Sequence, residues 1–187
     1  MKRLFIAIKI NPEDTFREVH SNLRGLLRSE KITWVSPENI HITLKFLGDT
    51  EEARIPAIME AMRKSAEGIP PFSFHLKGTG IFGSSYQPKV VWIGVPDGSE
   101  MVTLAKKLID AMVPLGWPRD RQNFVPHLTI GRIRFIRDKA AFQQAIDEYR
   151  SEKIQEVQVD DIRLYESIMK REGPEYKLIA KTGLVEI

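Results

Sequence analysis

The chain contains no cysteine, which removes several chemistries at once. Disulfide scaffolds, zinc–thiolate sites, iron–sulfur clusters and cysteine nucleophiles are all excluded. Nor does any apolar run approach the roughly 18 residues that a membrane span requires. The N-terminal stretch Leu4-Phe5-Ile6-Ala7-Ile8 is interrupted by Lys9, Asn11, Glu13 and Asp14 before it reaches the length of a secretory signal. A cytoplasmic protein with no membrane association is the expectation. Phosphate-binding loops and dinucleotide fingerprints are also missing, since Lys77-Gly78-Thr79-Gly80 lacks both the spacing and the following helix. Histidine is scarce, with four in 187 residues.

What the chain does have is ordinary for a folded domain. Its 42% hydrophobic content supports a core, and its 28% charged content supplies a solvated surface. The length suits one domain or two intimately packed lobes, and no linker or low-complexity segment divides it. Residues 1–187 are therefore read as a single bilobal domain. A net charge of +3 leans only weakly towards a polyanionic partner.

Hydrophobic periodicity orders the elements. Arg3 to Ile10 reads as a strand, and Asn11-Pro12-Glu13-Asp14 opens a helix to about Leu27 with Phe16, Val19, Leu23 and Leu26 as its apolar stripe. After a polar connection, Ile40 to Leu47 reads as a strand ended by Gly48-Asp49, and Thr50-Glu51-Glu52 opens a second helix. Strands follow at Phe72–Phe82 and Val90–Val95, then a helix from about Glu100 to Val113. Phe124–Phe135 is a strand, Lys139–Tyr149 a helix, and Val157–Ser167 and Tyr176–Val185 are closing strands joined through Arg171-Glu172-Gly173-Pro174.

One pattern occurs twice. Ile40-His41-Ile42-Thr43-Leu44 and Pro126-His127-Leu128-Thr129-Ile130 each set a histidine and a threonine two residues apart in an apolar strand that leads into a helix. Because strand side chains alternate faces, His41 and Thr43 point one way and Ile42 and Leu44 the other, and His127 and Thr129 repeat this. One His-x-Thr carries no information; two in the same setting, among four histidines, outweigh the plain reading of half-buried strand residues. The doubling suits a two-lobed fold with approximate internal symmetry. Two imidazoles can exchange protons near neutral pH, one as base and one as acid, and two hydroxyls can hold an anionic phosphate without charge. Such a site can open a cyclic phosphodiester without a metal. Metal binding would want a third ligand, and the only nearby acid, Asp49, has no counterpart near His127.

His41-Ile42-Thr43-Leu44-Lys45-Phe46-Leu47-Gly48 and Pro126-His127-Leu128-Thr129-Ile130-Gly131-Arg132 closely resemble the paired motifs of the two-histidine phosphoesterases, in the branch of the RNA 2′,3′-cyclic phosphodiesterases, also described as 2′-5′ RNA ligases. Phe5-Ile6-Ala7-Ile8, Trp34-Val35, Pro37-Glu38-Asn39, Phe124, Leu164-Tyr165-Glu166-Ser167 and Gly173-Pro174-Glu175-Tyr176 extend the likeness over essentially the whole chain. The resemblance implies an α+β fold, bilobal, with two antiparallel sheets in a pseudo-two-fold arrangement lining a central groove and helices outside. It implies hydrolysis of RNA 2′,3′-cyclic phosphate ends to 2′-phosphomonoesters, with His41 giving a proton to the leaving O3′ and His127 taking one from water. Thr43 and Thr129 would hold the phosphate. The reverse reaction with a 5′-hydroxyl end would form a 2′-5′ linkage. No cofactor is implied, the partners are RNA ends or small nucleotides carrying a cyclic phosphate, and a monomer is expected. The same chemistry on another small nucleotide, an ADP-ribose cyclic phosphate or a 2′-5′ oligoadenylate, and RNA binding without catalysis are the competing functions.

Arg132 is a candidate phosphate contact, although strict alternation puts it on the face opposite His127 unless Gly131 introduces a bulge. Lys45 shares the parity of His41 and reads as an exposed strand lysine. Phe124 and Tyr176 are candidates to stack on a base, and Trp34 reads as core. His20 and His75 lack a threonine partner and read as structural or surface residues.

Overall fold

A computed structural model describes residues 1–186. In chain order the elements are β1 (Lys2–Lys9), α1 (Asp14–Leu26), β2 (Lys31–Trp34), β3 (His41–Thr50), α2 (Ile55–Ala66), β4 (Phe72–Gly83), β5 (Pro88–Gly94), α3 (Ser99–Met112), β6 (His127–Phe135), α4 (Lys139–Glu148), β7 (Lys153–Val159), β8 (Asp161–Lys170) and β9 (Gly173–Gly183). They build two antiparallel sheets, one in the order β3-β1-β8-β9 and the other β2-β6-β5-β4-β7. The run β1-α1-β3-α2 matches the later run β5-α3-β6-α4. In each run the two strands pair with one another, β1 with β3 and β5 with β6. Each half also lends a strand to the other's sheet: β4 pairs with β5, and β8 pairs with β1.

Alternation explains which side faces the core. Leu4, Ile6 and Ile8 of β1, Ile42 and Leu44 of β3, Val91 and Ile93 of β5, and Leu128 and Ile130 of β6 all enter one large hydrophobic cluster. The helices pack on this side, with α2 against α3, α3 against β3, and α1 against β7. The opposite faces carry His41 and His127. A small second cluster of Phe5, Ala7 and Tyr165, with Tyr176 against it, lies on the His41 side of its sheet.

The polar connection after α1 contains a strand: β2 pairs with β6, placing Trp34 opposite Gly131. Its four residues are too few to show a period. The expected strand Val157–Ser167 is two strands in different sheets. Its apolar positions change parity, since Val157 and Val159 are buried and then Ile162 and Leu164, and the chain crosses between sheets at Asp160. β6 begins at His127 rather than Phe124, and β3 runs on to Thr50 through Gly48, which takes a positive φ of 70°. Asn11 does not cap α1. Its carbonyl instead accepts from Gln155 Nε2 at 2.7 Å, while Gln155 Oε1 accepts from the Glu13 amide at 3.0 Å. This tie fixes the start of α1 to β7.

His20 is a structural residue. It is 2% exposed, stacks on Phe16, meets Trp34 edge-on, and its Nε2 donates to the Val35 carbonyl at 2.9 Å. Burial pushes its pKa below the ordinary histidine value of 6.5. The folded state thus favours the neutral ring. The stability this gives is complete above the unfolded value and is lost as pH falls through the lower folded value. Urea unfolding between pH 7.5 and 5.5 should show wild type losing more stability than His20→Gln, which keeps a donor but has no proton to gain. Equal losses would remove His20 as the cause.

Candidate active site

The two motif strands are adjacent in space, with β3 and β6 in direct contact. His41 and His127 are held by the same device. Each ring's Nδ1 lies 2.7 Å from the backbone carbonyl two residues earlier, Asn39 for His41 and Val125 for His127. A carbonyl only accepts, so Nδ1 carries the hydrogen and Nε2 is left for proton exchange. Each ring is also braced edge-on by an aromatic side chain. Tyr176 stands at 90° to His41 with centroids 5.1 Å apart, and Phe82 stands at 86° to His127 with centroids 4.7 Å apart. Both rings are therefore fixed in tautomer and direction.

The strands share a second device that the alternation rule does not foresee. In the β1–β3 ladder Ala7 pairs with Thr43 and Ile6 with Lys45, so Leu44 is an extra residue. In the β5–β6 ladder Trp92 pairs with Thr129 and Val91 with Gly131, so Ile130 is extra. The bulge falls three residues past the histidine in both lobes. Each bulge resets the parity. Leu44 and Lys45 are both buried, as are Ile130 and Gly131. The next residues, Phe46 and Arg132, return to the histidine face.

This places Arg132 on the same side as His127, where its positive charge reaches both His41 and Tyr176. It also moves Lys45 inside. The Lys45 side chain is 3% exposed, and its Nζ donates to the Pro118 carbonyl at 2.8 Å and to Asp120 at 2.9 Å. Lys45 is thus a buried tether for the loop before β6, not an exposed strand lysine. Phe46, at 49% exposure, is the positional equivalent of Arg132, with the Arg3 guanidinium 5.2 Å above its ring. The two lobes use equivalent positions for a ring and a cation.

Electrostatics acts on His41. Burial pushes His41 below the ordinary histidine range, the Asn39 carbonyl opposes this, and the cations Lys9 and Arg132 add to it. Lys9 pairs with His41 across the ladder, and its own pKa is lowered by burial and by Arg163. Burial raises the pKa of Tyr176, which keeps its phenol protonated. Thr43 is exposed and Thr129 half-buried, both on the histidine faces. Phe124 is half-buried and packed against the main core. His75 is exposed, with its Nδ1 2.6 Å from Asp97 Oδ2.

Sequence reasoning passed over three residues at this site. Lys9 shares the parity of Phe5 and Ala7, but only the ladder shows that this face meets His41. Phe82 and Trp92 lie opposite the motif on neighbouring strands and carry no local signature. Among the described residues, no three or more of His, Asp and Glu gather in a way that would hold a metal ion.

Two similar lobes each present a tethered imidazole and a threonine from a bulged strand, and this arrangement fits a phosphoesterase built on an internal repeat. The model of the LigT-like phosphoesterase family matches this chain twice in succession, over residues 8–92 and 93–176, and the chain belongs to that family. The chain is 36% identical over 178 residues to the RNA 2′,3′-cyclic phosphodiesterase of Thermotoga maritima, covering 95% of this chain and 92% of that one. It is 38% identical over 176 residues to the enzyme of the same name from Archaeoglobus fulgidus, covering 94% and 96%. Among solved structures, the TT0787 protein of Thermus thermophilus superposes with a TM-score of 0.75 at 25% identity over 97% of both chains. Escherichia coli LigT in complex with 3′-AMP shares the fold, with a TM-score of 0.75 at 22% identity over 98% of both chains.

Proposed function

We propose that this protein hydrolyses RNA 2′,3′-cyclic phosphate ends to 2′-phosphomonoesters by proton transfer between His41 and His127, acting as a cytoplasmic monomer. The observation that carries this reading is the matched pair of Nδ1–carbonyl tethers, which leaves an Nε2 atom available on each of the two motif strands. His127 takes a proton from the attacking water, and the new P–O bond forms as the P–O3′ bond breaks. His41 delivers its proton to O3′. Thr43 and Thr129 donate to the non-bridging oxygens, and Arg132 balances the charge that grows there.

Burial favours neutral His41 in the free protein, yet the acid must carry a proton. A phosphate anion beside it supplies the opposite charge that raises its pKa in the complex. The descending limb of activity should therefore lie at higher pH in kcat than in kcat/KM. Because Arg132 lowers the pKa of His41, Arg132→Gln should move that limb upward while reducing kcat by about 10²-fold. An unmoved limb would separate Arg132 from His41.

Incubating the purified protein with EDTA and an oligoribonucleotide ending in a 2′,3′-cyclic phosphate tests the reading directly. The expected product is the 2′-phosphate, lost when either histidine is replaced. A 3′-phosphate product would reverse the assignment of the broken bond, and no turnover by folded protein would remove the reading.

A further inference from the structure

The β1–β8 ladder ends where Leu4 meets Glu166. Beyond it, from Ser167 to Tyr176, β8 and β9 pair only with each other, in a ladder that runs out to Lys170 and Gly173. A two-stranded ribbon with no third strand is marginal in water, and this one is open to solvent, with Met169 68% exposed. Yet it carries Tyr176, whose ring packs edge-on against both His41 and Phe5. Among the described residues, one hydrogen bond joins the ribbon to the rest of the chain. Asn39 Nδ2 donates to the Pro174 carbonyl at 3.0 Å. Because a carbonyl only accepts, the direction of the Asn39 amide is fixed.

Asn39 is also the residue whose own carbonyl lies 2.7 Å from His41 Nδ1. It closes a single 3₁₀ turn, Pro37–Asn39, in which the Ser36 carbonyl accepts from the Asn39 amide at 2.9 Å and the Glu38 carbonyl accepts from Lys9. One residue therefore grips the His41 ring through its main chain, and through its side chain the ribbon that braces this ring. The other lobe has no such link. There the tether is the carbonyl of Val125, whose side chain is apolar, and the brace Phe82 is held opposite Val90 in the five-stranded sheet.

We infer that Asn39 is a positioning residue for the proton donor: its side-chain amide holds the β8–β9 ribbon over His41, so that Tyr176 fixes the direction of the ring. The inference rests on the cyclic phosphodiesterase reading, which makes His41 the acid. Without the tie the main-chain tether stays and the tautomer is kept, but the ribbon end lifts and Tyr176 leaves the ring. His41 then gains both freedom and water, and delivery of its proton to O3′ slows. The charged and titratable groups that face His41 are Lys9 of β1, Arg132 of β6 and Tyr176 of β9. The two cations hold its pKa down and stay in place. Burial acts in the same direction and more strongly, and burial is what the loosened ribbon reduces. Loss of the tie thus raises the pKa of His41, and the acid stays protonated to higher pH.

Asn39→Ala removes the side-chain tie alone and should melt close to wild type, since the bond lies at the surface. On a cyclic mononucleotide it should lower kcat about tenfold, the scale of one hydrogen bond, with KM little changed. The descending limb of kcat/KM should move to higher pH, which a merely structural loss would not do. In a Tyr176→Leu background the same substitution should change kcat by no more than about twofold, because the brace it serves is gone. An unchanged kcat, an unmoved limb, or an equal loss with and without the Tyr176 ring overturns the inference. If wild type does not turn over the cyclic phosphate, the cyclic phosphodiesterase reading fails, and NMR titration of the His41 ring proton, assigned by its absence in His41→Gln, decides the positioning separately. A higher pKa in Asn39→Ala then supports the hold of Asn39 on the ring's surroundings, and an unmoved one overturns it.

Discussion

Replacing His127 with alanine, or His41 with glutamine, should each reduce turnover of a 2′,3′-cyclic phosphate by about 10²–10⁴-fold, the usual contribution of one positioned acid or base. Glutamine is chosen for His41 because that ring is braced between Phe5 and Tyr176, and a truncation there would leave a cavity. Thermal unfolding should stay close to wild type for His127→Ala, whose ring is only half-buried. The double variant should be little worse than the poorer single one, since acid and base act within one step. Thr43→Val and Thr129→Val keep the shape and remove a donor, and each should cost about 10²–10³-fold in kcat. Steady-state kinetics on a cyclic mononucleotide checks all five. Turnover that survives both histidine changes would leave the groove as a binding surface and would move the chemistry elsewhere.

The geometry of this site was legible because it is local. A histidine and a threonine two apart on an apolar strand need only the period of the strand to be placed on one face, and the repetition needs only the sequence. Arg132 and Lys45 were not legible for the complementary reason. Their directions depend on the bulges at Ile130 and Leu44, and a bulge is a property of two paired strands. Gly131 hinted at one of them. Leu44-Lys45 carries no such hint, so the buried lysine was read with the wrong parity. The break within Val157–Ser167 could have been read, because the buried positions change from odd to even numbers across Asp160. β2 could not, since Ile32 and Trp34 gain their meaning from Gly131 on a strand about a hundred residues later. The same holds for the aromatic braces. Tyr176 and Phe82 lie far along the chain from the rings they support, and only the sheet order brings them there.

The bulge in β4 carries the largest expected loss of stability. Lys77 pairs with Gly94 and Thr79 with Ile93, which leaves Gly78 as the extra residue, with a φ of 72°. Its amide donates to the Glu152 carbonyl at 2.9 Å, and the Thr79 amide donates to that of Tyr149 at 3.2 Å, so the turn after α4 closes over the bulge. A Cβ at position 78 would overlap the Arg150 carbonyl oxygen and lie 3.2 Å from its carbonyl carbon. Backbone cannot swing aside as a long side chain can. Gly78→Ala therefore combines a left-handed residue, costing about 1–2 kcal/mol, with overpacking against main chain, costing about 1–3 kcal/mol. A total of about 2–5 kcal/mol is a large share of the stability of an ordinary domain. At about 2–4 °C per kcal/mol for a chain of this size, the melting temperature should fall by about 4–20 °C. The same segment supports the wall of a cavity beside His127, since Thr79 donates to the Ile146 carbonyl at 2.6 Å. Turnover of a cyclic mononucleotide at low temperature should be retained, because neither histidine tether touches this turn. A melting temperature equal to wild type would show that the turn at Arg150 can move away without cost.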